Sequence, residues 1–556
     1  MLRKTILQLA QYHERFVWAL NSNNLLAPLV LFGLFSIGIF KNIHLPCIYW
    51  DAVNPDYLAA KILAGSNYIS NFPPWDAFPV LGNWYHGVMH TYFGLIFFNI
   101  FGFSVFSLRV AHAVFGFAIL LISHTILSKG TGSRAFSLLF MGIFALDPAF
   151  VFAFRTQNYI TMSPAFFLLF SVYLLLTVSV STESVTTPRA GSKFIWSGVF
   201  AGWSFYGYFI YIFFLPAFLV MIAMLSKKFS RSFFQTTLVW LIGFATGAFL
   251  YFYGYAGLLV EYKGFSEFAK HASDLKIAGN QISILDRPYL SVMNAMSSLS
   301  GDYQYGLIFG EKKSPTVHGT VKLTVLIILS AIPVVVLFRR KLIDDFHAYI
   351  LLLIFSFFLV SLFFGTRLAP HHMIPLLPLL YIAVGIGLYR VGDLFSNFVN
   401  VKKIAAIVLV ITLFILAALN LQHQNIFQTK LLETGGVNYY SDSQTLLAEG
   451  AMHDPKPSYY VFQEWGFSGS FAFLTAGKVP FNSSLDDWAI SRVPCNRDLV
   501  FVFWGLSNPL VESFAINHGH IATRRVFYQR DGAVSFTSLT VNDRLICLAT
   551  DNRLVF

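Results

Sequence analysis

The stretch Tyr49-Trp50-Asp51-Ala52-Val53-Asn54-Pro55-Asp56-Tyr57-Leu58-Ala59-Ala60-Lys61 follows the first long apolar segment of the chain. It places the carboxylate of Asp51 beside Trp50, an aromatic residue of the type enriched at membrane interfaces. Pro55 then opens a short amphipathic helix, because proline fits the first helical turn. An acid at this depth is costly to desolvate and is usually functional. It can take a proton from an incoming hydroxyl or hold a metal, whereas capping of the helix is the alternative for Asp51 and for Asp56.

The composition identifies a membrane protein. Of the 556 residues, 56% are hydrophobic and 12% are charged, whereas soluble domains carry about 25% charged residues. The aromatic content of 17% excludes a disordered chain. With three cysteines, the chain has neither a disulfide scaffold nor a cysteine-based zinc framework.

Several apolar stretches have the roughly 17–25 residues that a membrane span needs. The stretch 194–225 is too long for one span, and both of its flanks are basic. Because basic loops lie on the cytoplasmic side, we interpret it as a hairpin of two short helices that turns around Tyr206–Tyr211. The chain is thus predicted to be an all-α polytopic bundle of about eleven spans, with its N-terminus inside and its C-terminus outside. The other nine are predicted near 25–43, 104–127, 135–154, 162–181, 233–257, 320–338, 346–364, 373–389 and 404–421.

The net charge of +11 is a topology signal. The segments placed inside hold 16 lysines and arginines but five acids, a difference equal to the whole net charge. Nucleic-acid binding is therefore not needed to explain the basic excess, and no nucleic-acid partner is predicted. The inside segments are 1–24, 128–134, 182–193, 226–232, 339–345 and 390–403.

The remaining segments lie outside. A transmembrane domain, 1–421, would carry outer loops at 44–103 and 258–319, and Tyr92–Phe103 is too short to cross and would lie in the interface. Residues 422–556 would form a water-soluble domain, in which the order strand, helix, strand predicts an α/β fold. Cys495 and Cys547 would form a disulfide in an oxidising compartment or remain as two buried thiols.

Five segments together resemble the GT-C glycosyltransferases, which include the protein O-mannosyltransferases and the bacterial aminoarabinose transferases. Trp50-Asp51 and the alanine-rich helix ending in Gly65 resemble the family's first outer loop, and the match covers roughly residues 25–420. The other segments are His86–Tyr92, Phe101–Arg109, Arg155–Asn158 and Arg367–Pro378. Many relatives have Asp-Glu where this chain has Asp51-Ala52, so a second carboxylate would come from Asp56 or elsewhere.

The resemblance implies a reaction. A sugar would move, with inversion, from a polyprenyl-phosphate donor to a lipid-, glycan- or protein-linked acceptor on the outer face of the membrane. Asp51 would act as the base. A phosphate leaving group requires cations, and arginine forks match its oxygens. The candidates for the donor phosphate are Arg155, Arg367, Lys61 and Lys263, and anchoring of an arginine at the interface is the alternative.

Further residues are candidates for substrate or metal binding. His86 and His90 are spaced i, i+4, so on a helix they would share one face and could hold a divalent metal ion, although hydrogen-bonded structural histidines are the alternative. Arg109 lies within a span, where a packing role or pairing with an acid such as Asp147 is expected. The candidate substrate-binding residues are Tyr57, Tyr85, His86, Asn158, Tyr159, His371 and His372.

Two other classes of membrane protein are alternatives. A lipid-linked sugar flippase should have ionisable residues in the middle of its spans, but the predicted spans of this chain are almost free of acids, most of which lie outside. An O-antigen ligase or polymerase usually has no soluble tail of this length. The short loops favour a bacterial inner membrane with the tail in the periplasm, and Asn482-Ser483-Ser484 would be a glycosylation sequon if the tail were luminal.

Overall fold

The computed structural model is mainly helical, with a small sheet near its C-terminus. It describes residues 25–69, 78–180, 188–228, 232–267, 269–270, 283, 285–311, 318–339, 345–363, 368–394, 399–549 and 554–555.

The described residues up to Thr434 form a helical bundle. The helices in its first half are α1 (Leu26–Ile39), α2 (Leu58–Ala64), α3 (Met89–Phe101), α4 (Val105–Thr131), α5 (Arg134–Ala145), α6 (Pro148–Ala153), α7 (Asn158–Met162), α8 (Ala165–Val180), α9 (Pro188–Gly207) and α10 (Leu215–Lys228). Those in the second half are α11 (Phe233–Gly247), α12 (Phe249–Glu261), α13 (Arg287–Ser300), α14 (Asp302–Phe309), α15 (His318–Arg339), α16 (Asp345–Phe363), α17 (Leu376–Leu394) and α18 (Val399–Thr434).

Within the described residues, seven helices are long and apolar enough to cross a membrane, or eight if the bent pair α11–α12 is one span. The chain is that of an integral membrane protein. Length and composition thus support fewer spans than the eleven predicted. The predicted spans at α1 and α5 are helices of 14 and 12 residues. Helix α5 ends early because Asp147 caps a new helix that begins at Pro148, where proline removes no helical hydrogen bond.

The predicted hairpin within 194–225 is present as two helices. Helix α9 ends at Gly207, a 3₁₀ turn covers Phe209–Phe214, and α10 begins at Leu215. This places the break within the predicted turn.

Helices α9 and α11 pack with their backbones in close approach. A Cβ atom on Gly243 would lie 2.1 Å from the carbonyl oxygen of Ile195, and one on Gly198 would lie 2.1 Å from that of Trp240. Small residues allow such approach between helices that have little hydrophobic driving force in lipid. The glycines therefore fix the distance between these two helices.

The tail is a small α/β domain, as predicted. Its sheet has the order β2-β1-β3-β5-β4, in which β1 pairs in parallel with β2 and β3, and β5 pairs antiparallel with β3 and β4. The strands are β1 (Ser458–Phe462), β2 (Phe481–Asn482), β3 (Asp498–Trp504), β4 (His520–Tyr528), β5 (Val534–Asn542), β6 (Cys547–Leu548) and β7 (Leu554–Val555). The helices are α19 (Ser443–His453), α20 (Ser468–Leu474), α21 (Asp487–Ser491) and α22 (Pro509–His518). Cys495 and Cys547 form a disulfide, one of the two predicted alternatives.

The tail packs directly on the first outer loop. The backbone N–H of Cys47 donates to the carbonyl of Tyr440 (3.0 Å), and that of Trp50 donates to Gly466 (3.2 Å). The ring of Phe473 contacts Phe98 at 5.0 Å between ring centroids. Helix α18 continues past the predicted boundary at residue 421 and ends at Thr434. The loop that carries Asp51 is therefore held between the bundle and the tail.

Candidate active site

Asp51 lies in the turn that leads from Trp50 into α2, at the junction of bundle, outer loop and tail. Its side chain is partly buried and makes no hydrogen bond or ion pair with the described residues. Burial raises the pKa of this carboxyl to about 6, because desolvation disfavours the charged form. Asp51 is thus an uncommitted carboxylate, more basic than usual and still mostly ionised at pH 7.

Tyrosines from five parts of the chain surround Asp51 closely enough to interact electrostatically with it. They come from the outer loop, α7, the α9–α10 break, α14 and the start of the tail. These residues are Tyr49, Tyr159, Tyr208, Tyr303 and Tyr440.

A hydrogen-bonded chain reaches the site from the turn before α7. The side-chain amide of Gln157 donates to the hydroxyl of Tyr303 (3.1 Å), which lies 3.2 Å from Nδ1 of His371. Burial lowers the pKa of His371 to about 4, so its ring is neutral at pH 7 and is hydrogen-bonded to the tyrosine through Nδ1.

The hydrogen bonds of His372 fix its tautomer. The backbone N–H of Ala369 donates to its Nδ1 (3.0 Å), so in the neutral ring Nε2 carries the proton and donates to the hydroxyl oxygen of Tyr208 (3.1 Å). Burial holds the pKa of His372 well below its usual value, and the neighbouring His371 adds to this effect. The hydroxyl proton of Tyr208 therefore remains available as a donor.

Asp56, the second predicted carboxylate, is fully buried. Its Oδ2 accepts from the hydroxyl of Tyr159 (2.6 Å) and lies 3.0 Å from Nε2 of His112. Asp56 is therefore closed to solvent in this arrangement, where it holds the side chains of Tyr159 and His112.

Arg155, predicted to bind the donor phosphate, instead binds the C-terminal end of α1. Its terminal nitrogens donate to the carbonyls of Gly38 (3.0 Å), Ile39 (2.8 Å) and Lys41, and more weakly to Asn42 and Leu45 (both 3.3 Å). The side chain is 1% exposed. Since helix C-termini present unpaired carbonyls, this guanidinium satisfies a structural need and is not placed to bind phosphate.

Of the other three cations predicted to bind the phosphate, the structure describes the two lysines. Arg367 lies outside the described residues. Lys61 occupies the last turn of α2, and Lys263 is exposed just after α12. The expected pairing of Arg109 with Asp147 is wrong, because Arg109 donates to the carbonyls of Ile43 and Pro46, whereas Asp147 pairs with a lysine.

The predicted metal pair His86–His90 is not formed. His86 precedes α3 and His90 lies within it, so the i, i+4 spacing does not place them on one helix. Nδ1 of His86 donates to the carbonyl of Gly87 (3.0 Å), and Nε2 lies 2.9 Å from the amide of Asn83. In the part of the chain that the structure describes, no group of three or more His, Cys, Asp or Glu could hold a metal ion.

The remaining predicted substrate-binding residues divide by exposure. Tyr57 is buried against Trp50, with 5.2 Å between ring centroids. Asn158 is buried, and neither atom of its side-chain amide has a hydrogen-bond partner among the described residues. Tyr85 is half exposed beside Phe209. Of these candidates, Tyr85 and the two histidines 371 and 372 are accessible enough to meet a substrate directly.

Sequence reasoning missed Tyr208, Tyr303, Tyr440 and Gln157. Tyr208 stands in the predicted turn between two helices, where an aromatic residue with a polar tip could have been recognised as site-facing. Tyr303 and Tyr440 reach the site from segments that are distant in the chain, and no local pattern marks them.

The fold is that of known membrane glycosyltransferases. ArnT from Cupriavidus metallidurans bound to undecaprenyl phosphate superposes with a TM-score of 0.59 at 13% identity, over 93% of this chain and 97% of that chain. The apo state of the same protein gives a TM-score of 0.52 at 13% identity, over 93% of this chain and 97% of that chain. The apo oligosaccharyltransferase of Archaeoglobus fulgidus gives 0.51 at 12% identity, over 86% of this chain and 69% of that chain.

No protein-family model matches the sequence, and no curated protein matches it. The similarity therefore lies in the fold, that is, in the arrangement of the helices and the tail. Both of these neighbouring proteins are GT-C fold glycosyltransferases. At this level of identity it establishes the architecture, and this chain has the GT-C fold.

Proposed function

We propose that this protein is a membrane glycosyltransferase that moves a sugar from a polyprenyl-phosphate donor to an acceptor hydroxyl, with Asp51 as the base. The observation that carries the proposal is the uncommitted, partly buried carboxylate of Asp51 at the junction of bundle, outer loop and tail. The GT-C fold supports it. The ArnT neighbour binds undecaprenyl phosphate, and a lipid donor of this kind accounts for a site at the membrane edge.

In the proposed reaction Asp51 takes the proton of the acceptor hydroxyl while the oxygen of that hydroxyl attacks the anomeric carbon of the donor sugar. The bond from that carbon to the donor phosphate oxygen breaks, and the polyprenyl phosphate leaves with the bonding electrons. Attack from the face opposite the phosphate inverts the configuration. A pKa near 6 suits this task, because a base is most effective when its pKa lies near the working pH.

The departing phosphate needs hydrogen-bond donors and positive charge. The hydroxyl of Tyr208 is one donor, because His372 already occupies its oxygen as an acceptor. Arg367, four residues before His371, remains our first cationic candidate, followed by Lys61 and Lys263. Binding of a divalent ion by Asp51, which would assist the phosphate by neutralising charge, is the alternative to its role as the base.

We place the protein in a bacterial inner membrane, with the N-terminus in the cytoplasm and the tail in the periplasm. The disulfide between Cys495 and Cys547 supports this orientation, because disulfides persist in oxidising compartments. The acceptor would be a lipid-, glycan- or protein-linked hydroxyl on that side.

The test compares Asp51→Asn with Asp531→Asn, an exposed acid in the β4–β5 turn. Membranes containing each variant are supplied with radiolabelled polyprenyl-phosphate sugars extracted from the producing cells, and label in the acceptor fraction is counted. We expect Asp51→Asn to reduce transfer by about 100-fold or more, and Asp531→Asn to leave it within about twofold of wild type. Transfer by Asp51→Asn at the wild-type rate would remove Asp51 as the base.

A further inference from the structure

Next to Asp51, rings from the outer loop and the tail meet at an exposed corner. Tyr49 and Tyr439 stack, with ring centroids 5.9 Å apart and an interplanar angle of 24°. Trp465 stands nearly perpendicular to both, at 71° and 87°, with 5.2 Å between centroids in each case. We call Tyr49, Tyr439 and Trp465 the aromatic corner. Tyr49 is two residues from Asp51 and interacts with its charge.

Two members of the aromatic corner are unusually open. Trp465 is 50% exposed and Tyr439 is 41% exposed, whereas Tyr49 beneath them is buried. Adjacent, exposed large aromatic side chains on a protein surface usually mark a binding site. The corner therefore offers aromatic surface beside the candidate base.

The aromatic corner is held rigidly before any ligand arrives. The backbone carbonyl of Trp465 accepts from the indole N–H of Trp504 (3.0 Å), and the next carbonyl, of Gly466, accepts from Trp50 (3.2 Å). Gly466 has φ +109°, and a Cβ there would lie 3.0 Å from the ring of Tyr439. A preordered surface loses little entropy on binding.

The corner follows the end of α18. Most exposed apolar side chains of this helix lie between Ile407 and Leu421, and the helix then continues to Thr434. Its last 13 residues rise about 20 Å. Tyr439, five residues further on, therefore lies well beyond most of this apolar surface.

The charged groups beside the corner are engaged within the protein. Both carboxylate oxygens of Glu464 accept hydrogen bonds, from the backbone of Trp504 (2.5 Å) and the amide of Asn508 (3.1 Å). Asp442 pairs with Arg530 at 2.6 Å. The exposed surface of the corner itself consists of neutral aromatic rings. Such a surface complements a neutral polyhydroxylated ring, whose partly positive C–H bonds lie against the negative face of an aromatic ring.

We propose that the aromatic corner binds neutral sugar units of a glycan acceptor and delivers their hydroxyl groups to Asp51. This inference rests on the proposed glycosyltransferase function and narrows the acceptor to a carbohydrate. Trp465 is the main stacking residue, and Tyr439 forms the second wall.

The experiment measures binding of the full-length protein, fluorescently labelled in detergent micelles, to an array of immobilised bacterial oligosaccharides. We expect wild type to bind a subset of neutral glycans. Trp465→Leu, which keeps apolar bulk but removes the aromatic face, should weaken this binding about tenfold or more, and Trp465→Tyr should restore most of it. Trp488→Leu is the matched control, because Trp488 is a 64% exposed tryptophan on α21 of the same domain.

Two results would overturn the proposal: no binding of wild type to any array member, or equal binding by wild type and Trp465→Leu. Circular dichroism melting of each variant separates lost binding from lost folding. Binding of wild type to undecaprenyl phosphate is measured in parallel. If wild type binds glycans but not undecaprenyl phosphate, the proposed transferase is rejected and the carbohydrate site is kept. If it binds undecaprenyl phosphate but no glycan, only the carbohydrate site is rejected.

Discussion

Lys322 on α15 donates to Asp147 at 2.9 Å, and both side chains are almost completely buried. The other oxygen of Asp147 accepts from the hydroxyl of Tyr381 on α17 (2.7 Å), and its first oxygen also caps α6 through the N–H of Ala149 (2.8 Å). This carboxylate therefore joins three parts of the bundle at the point where the third predicted span breaks.

Removing one partner of this ion pair should be costly. Lys322→Met leaves a buried, uncompensated carboxylate, and such changes cost about 3–5 kcal/mol. We expect the double variant Lys322→Met/Asp147→Asn to regain much of this loss, because no isolated charge remains. Thermal unfolding in detergent measures the stability of the single and the double variant. Equal unfolding temperatures for the single and double variants would contradict this explanation.

Arg155→Lys should lower stability without weakening binding of the donor lipid. A lysine cannot reproduce the planar fork that meets several carbonyls at the end of α1, and hydrogen bonds from charged groups contribute about 1.5–3 kcal/mol each. The measurements are the unfolding temperature and the Kd for undecaprenyl phosphate. Unchanged stability with weaker binding would restore the phosphate role that the sequence predicts for Arg155.

The rate of sugar transfer should increase as the pH is raised through about 6. Burial raises the pKa of Asp51 to about 6, so below this pH the carboxyl is protonated and cannot accept a proton, whereas above it the base is ionised. The rate at saturating donor, measured across the range from acidic to mildly alkaline pH, should show this rising limb. The limb should be absent from the residual activity of Asp51→Asn, and an identical limb in that variant would assign the titration to another group.

The contact between α9 and α11 gives a matched pair of glycine substitutions. Gly243→Ala should destabilise the protein, because its Cβ would meet the backbone oxygen of Ile195 at 2.1 Å and the helices must separate. Gly33→Ala on α1 introduces a Cβ with no described atom within 4 Å, and alanine favours a helix by up to about 1 kcal/mol. We therefore expect Gly243→Ala to lower the unfolding temperature and Gly33→Ala to raise it. A Gly243→Ala protein as stable as wild type would show that this contact is adaptable.

The sequence alone determined the features that depend on local pattern and composition. Apolar runs located the helices, and alternating short strands and helices in 422–556 indicated the α/β tail, because burial imposes its periodicity directly on the chain. The place of Asp51, after the first apolar helix and before a short one, was also recognisable as an acid at the membrane edge. These features need no knowledge of which distant segments meet.

Only the tertiary structure decided what the polar side chains contact. Arg155 binds carbonyls more than 100 positions away, and Asp56 is buried by His112 and Tyr159. Tyr440 comes within electrostatic range of Asp51 although the two residues are far apart in the chain. An arginine or an acid near the end of a span has the same local sequence whether it binds a ligand or a backbone. Its partner is set by long-range packing, which brings donors and acceptors together only after the helices assemble.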